Sequence, residues 1–405
     1  MELPLSENRR MKVDEFDSGK MLAHAARQAK DRNYKDFPIV DVDSHHYELE
    51  SFNEILEYMT DPVMRQLAQS ANAGNSKGVG VMPGGVGYQD MGGRVTRYPL
   101  RRIEKPEPGV HRDVSLTRRW MDAMGVDVAV MFPSPMLQLG LHPQVEAEVA
   151  LAWAYNRWLC ERVLAEEPRI RSMLYLPFND PEASFRMVKE FAGKKGVVGF
   201  MVTSARHRPV HHNSYMKVYA AIEELGLPLA FHAGYNWNEQ SMALMNKFIS
   251  VHAIGFVFHN MVHMTNWVLN GVPERFPKLK VIWIESGLAW LPFMIQRLDN
   301  EYMMRSSECP ALKKLPGEYI TEMFYTSQPM EMPRDMSLLE STFKCIKAES
   351  QLLYSSDYPH WDFDLPSTIY DLPFLKDKAK RDILGGNACK LFKLDLGGQK
   401  LAKVA

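Results

Sequence analysis

Cysteine is scarce in this chain: four in 405 residues, at positions 160, 309, 345 and 389, with no Cys-x-x-Cys pair. That excludes a small disulfide-stapled scaffold and predicts reduced thiols in a cytoplasmic protein. Long apolar runs are missing. None reaches the roughly 20 residues of a membrane-spanning helix, and the charged N-terminal stretch has no apolar core of the signal-peptide kind. Charge of one sign is also missing, with 48 Lys and Arg against 49 Asp and Glu and a formal net charge of −1. No basic cluster is interleaved with aromatics, so neither nucleic acid nor an anionic membrane is an expected partner. The sequence has no phosphate-loop Gly-Lys-Ser/Thr, no Gly-x-Ser-x-Gly elbow and no dinucleotide fingerprint opening a helix.

What remains is a chain with 46% hydrophobic residues, enough for a large core. From Pro38 a pattern repeats: short β-branched runs end in small or polar residues, and helical stretches follow. The runs are Ile39–Asp43, Val126–Phe132, Ser172–Leu176, Val197–Thr203, Leu229–His232, Lys280–Glu285, Met323–Thr326 and Leu352–Ser356. Ala150–Leu164 and Tyr215–Gly226 are apolar at helical spacing. Strands alternating with helices predict a parallel sheet, and eight of them in one compositional block predict a closed (β/α)8 barrel over 37–394. Residues 1–36 are expected to form an arm or a solvated tail, and 395–405 a tail. A long insertion, 51–117, follows the first strand. Its Gly-rich centre, "GNSKGVGVMPGGVGYQDMGGR", is expected to be loop, and either a lid or a surface insertion. The stretch 293–322 between the sixth and seventh strands is expected to be mostly helical.

In such a barrel chemistry gathers at the C-terminal ends of the strands. The first strand ends in Asp43-Ser44-His45, the fifth in His232, the sixth in Glu285 and the eighth in Asp357. Asp43 and His45 are two apart, so they share a strand face. One histidine at a strand end is ordinary, since a hydrogen bond usually explains it. Four strands ending in metal-binding side chains point to a divalent cation.

These residues carry a resemblance. Asp43-x-His45, "FHAG" with His232, "ESGLAWLPF" and "SSDYPHWD" resemble the amidohydrolase-related branch of the metal-dependent amidohydrolase superfamily. "RRWMDAMGVDVAVMFPS", "AYNRWL", "LNGVPERFPKLKVIWIESG", "FYTSQPMEMP" and "ILGGNACKLFKL" extend the likeness across about 38–394. That branch includes aminocarboxymuconate-semialdehyde decarboxylase, resorcylate decarboxylases and several hydrolases. The resemblance implies a TIM-like barrel, a homodimer, and a cation held by Asp43, His45, His232 and Asp357. Two positions depart from the pattern. Asp43 stands where better-known members have His or Glu, and Glu285 stands where the decarboxylase pattern has a His. Both enrich the site in carboxylate and shift the expected metal from Zn towards Mn or Fe. Glu285 as a bridging ligand leaves room for a second ion.

Other candidates surround this set. Glu48 is expected to orient a ligand from behind, and His46 to be structural because the strand period turns it away. His360, Trp361, Asn236 and His259 are candidate substrate contacts; Tyr235 and Trp237 are candidate pocket wall. His259 and His263 share a helix face without the Glu of a protease-type zinc helix. The expected substrate is a small organic molecule of the aromatic or polycyclic acid type. Three chemistries stay open. Hydrolysis is preferred, because the sixth-strand His is absent, with Glu285 or Asp357 handling the proton. Non-oxidative decarboxylation and di-iron oxygenation are the alternatives.

Overall fold

The computed structural model describes residues 17–73, 105–234, 236 and 238–396. The expected lid, 74–93, lies outside the described residues, as do 1–16, Tyr235, Trp237 and 397–405.

Eight parallel strands form the sheet: β1 (Val40–His46), β2 (Val128–Pro133), β3 (Ile170–Tyr175), β4 (Val197–Thr203), β5 (Leu229–His232), β6 (Val281–Ile284), β7 (Phe324–Thr326) and β8 (Leu352–Leu353). Each pairs with the next in sequence order. Main-chain bonds then join the last strand's exit to the first. Val42 N–H donates to Tyr354 O (2.9 Å), His45 N–H to Tyr358 O (2.8 Å) and Asp357 N–H to Asp43 O (2.7 Å). The chain is a (β/α)8 barrel, and each of the eight expected runs contains or overlaps one of its strands.

The strands form where β-branched and aromatic residues alternate between the barrel interior and the helical layer. Along β5, Phe231 faces outward and stacks on Trp283 (4.7 Å between ring centroids) and against Trp267 (5.5 Å). His232 then points inward. The helix Arg112–Met124 stops at Gly125, whose φ of 75° is a left-handed cap. A Cβ there would crowd Tyr34 and Ala29, so glycine also lets the N-terminal helix Ser18–Asp31 pack close. That helix buries Met21, Leu22 and Ala25.

Within the insertion, Phe52–Glu57 and Pro62–Ala73 are helices, and the helix leading to β2 starts at Arg112, inside the expected insertion range. Between β6 and β7 the helices Trp290–Arg305 and Pro316–Ile320 fill the stretch expected to be helical. After β5 the long helix Phe248–Leu269 reaches residues at two strand ends: Asn260 bonds Ser204 beyond β4 and Ser286 beyond β6, and His263 Nε2 lies 2.7 Å from Ser204 O.

Candidate metal centre

The strand exits bring Asp43, His45, His232, Glu285 and Asp357 to one mouth. One ligand atom each from Asp43, His45, His232 and Glu285 lies within 4.8 Å of the others, and His45, Asp357 and His360 form a second such group. His45 Nε2 is 3.2 Å from Asp43 Oδ1 and 3.2 Å from Asp357 Oδ1. His232 Nε2 is 3.3 Å from Asp43 Oδ1, and its Nδ1 is 3.5 Å from Glu285 Oε2. All five side chains are buried.

The backbone bends to achieve this. Glu285 and Asp357 both have φ of 59°, the left-handed region that side chains other than glycine rarely adopt. Each such residue costs about 1–3 kcal/mol and persists where its surroundings over-determine it. Here the Glu285 N–H donates to Thr326 Oγ1 of β7 (3.0 Å) and the Asp357 N–H is held by Asp43 O. Asp41 fastens the same corner: its buried carboxyl, pushed up to about 8 by burial, accepts from Ser356 N (2.9 Å) and from the Ser356 hydroxyl.

The two imidazoles are oriented by carbonyl oxygens. His45 Nδ1 is 3.0 Å from Pro133 O, and His232 Nδ1 is 2.9 Å from Ala233 O. A carbonyl only accepts, so both Nδ1 atoms carry the proton and, in the neutral ring, both Nε2 lone pairs face inward. Burial holds His45 below its ordinary range, hence neutral. Its Nε2 lone pair therefore faces the Asp43 and Asp357 carboxyl oxygens. Asp43 Oδ2, Glu285 Oε2 and Asp357 Oδ2 are buried without hydrogen-bond partners. Burial, then the Asp43 charge, pushes Glu285 far above the carboxylate range; burial, then the Glu285 charge, does the same to Asp357. Imidazole lone pairs and crowded carboxyl groups converging at one mouth are what a divalent cation resolves, by displacing the protons that burial keeps on Glu285 and Asp357. The donor set fits Mn or another oxygen-preferring ion.

The other sequence candidates fall in different places. His360 belongs to the mouth: its Nδ1 is 2.7 Å from Asp357 Oδ1, its Nε2 is 3.1 Å from Ser134 Oγ, and its ring lies 4.2 Å from that of His45. Glu48 touches no imidazole of the cluster. Its carboxylate accepts from the backbone N–H groups of Ser134 (3.0 Å) and Met136 (2.6 Å), so it acts on the site through the loop that presents Ser134 to His360. His46 points away, bonding Tyr155 (2.8 Å) and stacking on Trp158. Trp361 packs with Met242, Phe248 and Val251 and lies 5.1 Å from His252, forming an apolar, aromatic wall. His259 is half-buried, with an unpartnered Nε2. Asn236 caps its own turn, accepting from Asn238 N (3.1 Å).

Reading the sequence by strand ends left out Ser134, Asn260 and Arg206. The polar run "TSARHR" after β4 was a visible signal for the last of these, because it too sits at a strand exit.

The family model described as Amidohydrolase matches residues 119–394. Among curated relatives, the chain is 23% identical over 292 residues to a gamma-resorcylate decarboxylase of Polaromonas sp., covering 68% of this chain and 86% of the relative. It is 22% identical over 295 residues to that of Rhizobium radiobacter, covering 70% and 88%. Among solved structures, a dihydroxybenzoic acid decarboxylase of Polaromonas sp. with bound manganese and 2-nitroresorcinol aligns with a TM-score of 0.62 at 18% identity, over 90% of this chain and 99% of that one. An amidohydrolase of Mycobacterium avium subsp. paratuberculosis aligns at 0.63 and 21% identity, over 88% and 99%.

Proposed function

The chain belongs to the amidohydrolase family, and from that membership we propose that it is a metal-dependent, non-oxidative decarboxylase of an aromatic carboxylic acid. The observation that carries this reading is the convergence of two imidazoles and three carboxyl groups at one mouth, with His360 of that mouth followed in the chain by Trp361, which packs with Phe248 and His252. The curated relatives named above are gamma-resorcylate decarboxylases, and a manganese-bound decarboxylase structure shares the fold. They favour decarboxylation over the hydrolysis that the missing sixth-strand histidine suggested.

In this reading Asp43, His45, His232 and Asp357 would hold the ion, and Glu285 stands beside them. When bound, the ion supplies the positive charge that fixes a carboxylate and an adjacent ring oxygen. The protein's own groups do the rest. Trp361 and the apolar residues beside it hold the ring and exclude water. Glu285, buried at the mouth with an unpartnered Oε2, is the group placed to give a proton to the ring carbon as the bond to the carboxyl carbon breaks. CO2 leaves, the arene gains hydrogen, and water restores the proton to Glu285. A homodimer is part of the same reading. The helix Phe248–Leu269 has no Asp, Glu, Lys or Arg and leaves Ile249, Ile254 and Val262 exposed, a surface of the kind that subunits cover.

The test incubates manganese-loaded protein with 2,6-dihydroxybenzoate and with 5-carboxyvanillate under nitrogen. CO2 release matched by loss of the acid is expected with at least one, and Glu285→Gln should slow it ~10²–10⁴-fold, as loss of an acid–base group does. Turnover confined to esters or amides would replace this reading with hydrolysis, and turnover that needs iron and consumes oxygen would replace it with oxygenation.

A further inference from the structure

His360, a candidate substrate contact by sequence, stands outside the four ligands that the family resemblance implies, yet its ring is held as a ligand's ring is held. A turn folds it back over Asp357: the His360 N–H donates to Asp357 O (2.9 Å). The ring comes to lie 4.2 Å from that of His45. Its Nδ1 is 2.7 Å from Asp357 Oδ1, and its Nε2 is 3.1 Å from Ser134 Oγ. One ligand atom each from His45, Asp357 and His360 lies within 4.8 Å of the others, a spread that one coordination sphere spans.

Ser134 decides which ring nitrogen carries the proton. Its hydroxyl lies 3.0 Å from His46 O, and a carbonyl only accepts, so the single hydroxyl proton goes there. What Ser134 offers His360 is an oxygen lone pair, and Nε2 is the donor. In the neutral ring Nδ1 then carries the lone pair, and it faces Asp357 Oδ1. His45 turns a lone pair to the same oxygen, because its Nδ1 is held by Pro133 O and its Nε2 is 3.2 Å from Asp357 Oδ1. A proton on Asp357 can serve only one of these two nitrogens. A cation that displaces that proton can bind both nitrogens and the oxygen, and its charge disfavours an imidazolium beside it.

Ser134 is itself fixed from behind. The buried Glu48 carboxyl accepts from the Ser134 N–H (3.0 Å) and the Met136 N–H (2.6 Å), which ties the loop after β2 to the residues after β1. A metal-bound imidazole usually has its other ring nitrogen held by an oxygen. Pro133 O does this for His45 and Ala233 O for His232; Ser134 Oγ does it for His360.

We propose that His360 is a third imidazole ligand of the metal centre, bound through Nδ1, with Ser134 and Glu48 as positioning residues that fix its tautomer and orientation. This rests on the proposed function only for a manganese-type ion at the mouth, and it holds whichever bond the enzyme breaks. It also gives the buried Glu48 a purpose that the proton-transfer chemistry does not use.

Pulsed electron paramagnetic resonance of the manganese-loaded protein, with isotope-labelled histidine nitrogens, counts coordinated imidazoles without needing turnover. Three are expected in the wild type, from His45, His232 and His360, and two in His360→Gln. Calorimetry should show manganese binding weakened ~10–100-fold in Ser134→Ala, the range for loss of a group that orients a metal ligand. Ser134→Thr, which keeps the hydroxyl, should restore most of that affinity. A wild-type count of two, or a count unchanged in a folded His360→Gln protein, would overturn the inference. If His360→Gln fails to fold, the wild-type count decides alone. Wild-type affinity in Ser134→Ala would overturn the positioning role of Ser134. A count of three in a protein that decarboxylates nothing would uphold the ligand and defeat the proposed function; decarboxylation with a count of two would do the reverse.

Discussion

At the scale of single residues, burial decides which charges this protein carries. Glu148 shows the effect away from the metal cluster. Its ordinary value is 4.5, and burial in the fold lifts it to about 7. Between those values the unfolded chain has released the proton and the folded chain keeps it. The folded state then binds more protons, so the stability due to this group is complete below about pH 4.5 and is lost as pH rises through about 7. At ~1.4 kcal/mol per pH unit the full effect is about 3 kcal/mol. Glu148→Gln preserves an oxygen for Tyr175 and removes the titration. Denaturant midpoints measured from pH 4.5 to pH 8 should therefore fall more steeply for the wild type than for the variant. Parallel profiles would show that Glu148 is ionised throughout.

At the scale of elements, close backbone approach seats the last helical layer on the first strand. Gly385 lies in the π-helical turn Asp382–Gly386, and a Cβ there would overlap the Pro38 carbonyl oxygen and lie 2.7 Å from the Pro38 carbon. The obstacle is backbone leading into β1, which cannot rotate away. Gly385→Ala should cost about 1–3 kcal/mol, typical of overpacking, and lower the melting temperature. Gly193→Ala, where an added Cβ meets nothing within 4 Å, should stay within about 0.5 kcal/mol of the wild type. "ILGGNACKLF" was legible as a motif, but not as this contact. The strands were legible because β-branched runs alternate with helical stretches, and the site was legible because four of those runs end in Asp, His or Glu. Even β8, only two residues long, announced itself through "LLYSSD". The surroundings of Arg206 were not legible, because Glu148, Tyr175 and Tyr215 reach it from separate parts of the chain. The role of Glu48 was hidden for a similar reason: its partners are amides 86 and 88 residues away.

At the scale of the whole molecule, the ion cluster lies on the seam where the barrel closes. Asp43 and His45 come from β1 and Asp357 from just beyond β8, and the seam's main-chain bonds run between the same segments: Val42 to Tyr354, Asp357 to Asp43 and His45 to Tyr358. Asp41 and Ser356 add a side-chain fastening one step below. Asp43 and Asp357 crowd together across this seam with Glu285 beside them, so an ion that binds them in their charged forms should hold the first and last strands together as well as hold substrate. Two measurements check this. Manganese at 100 times its dissociation constant should add about 2.7 kcal/mol of stability, and chelation should remove it. Hydrogen exchange should place the change: the Val42, His45 and Asp357 amides should lose protection on chelation, while those of β3 and β4, on the far side of the barrel, should change little. His232→Ala removes one imidazole without touching the seam's main-chain bonds, so it should erase the manganese-dependent difference. Uniform loss of protection around all eight strands would mean that the ion stabilises the barrel globally and that the seam has no special dependence on it.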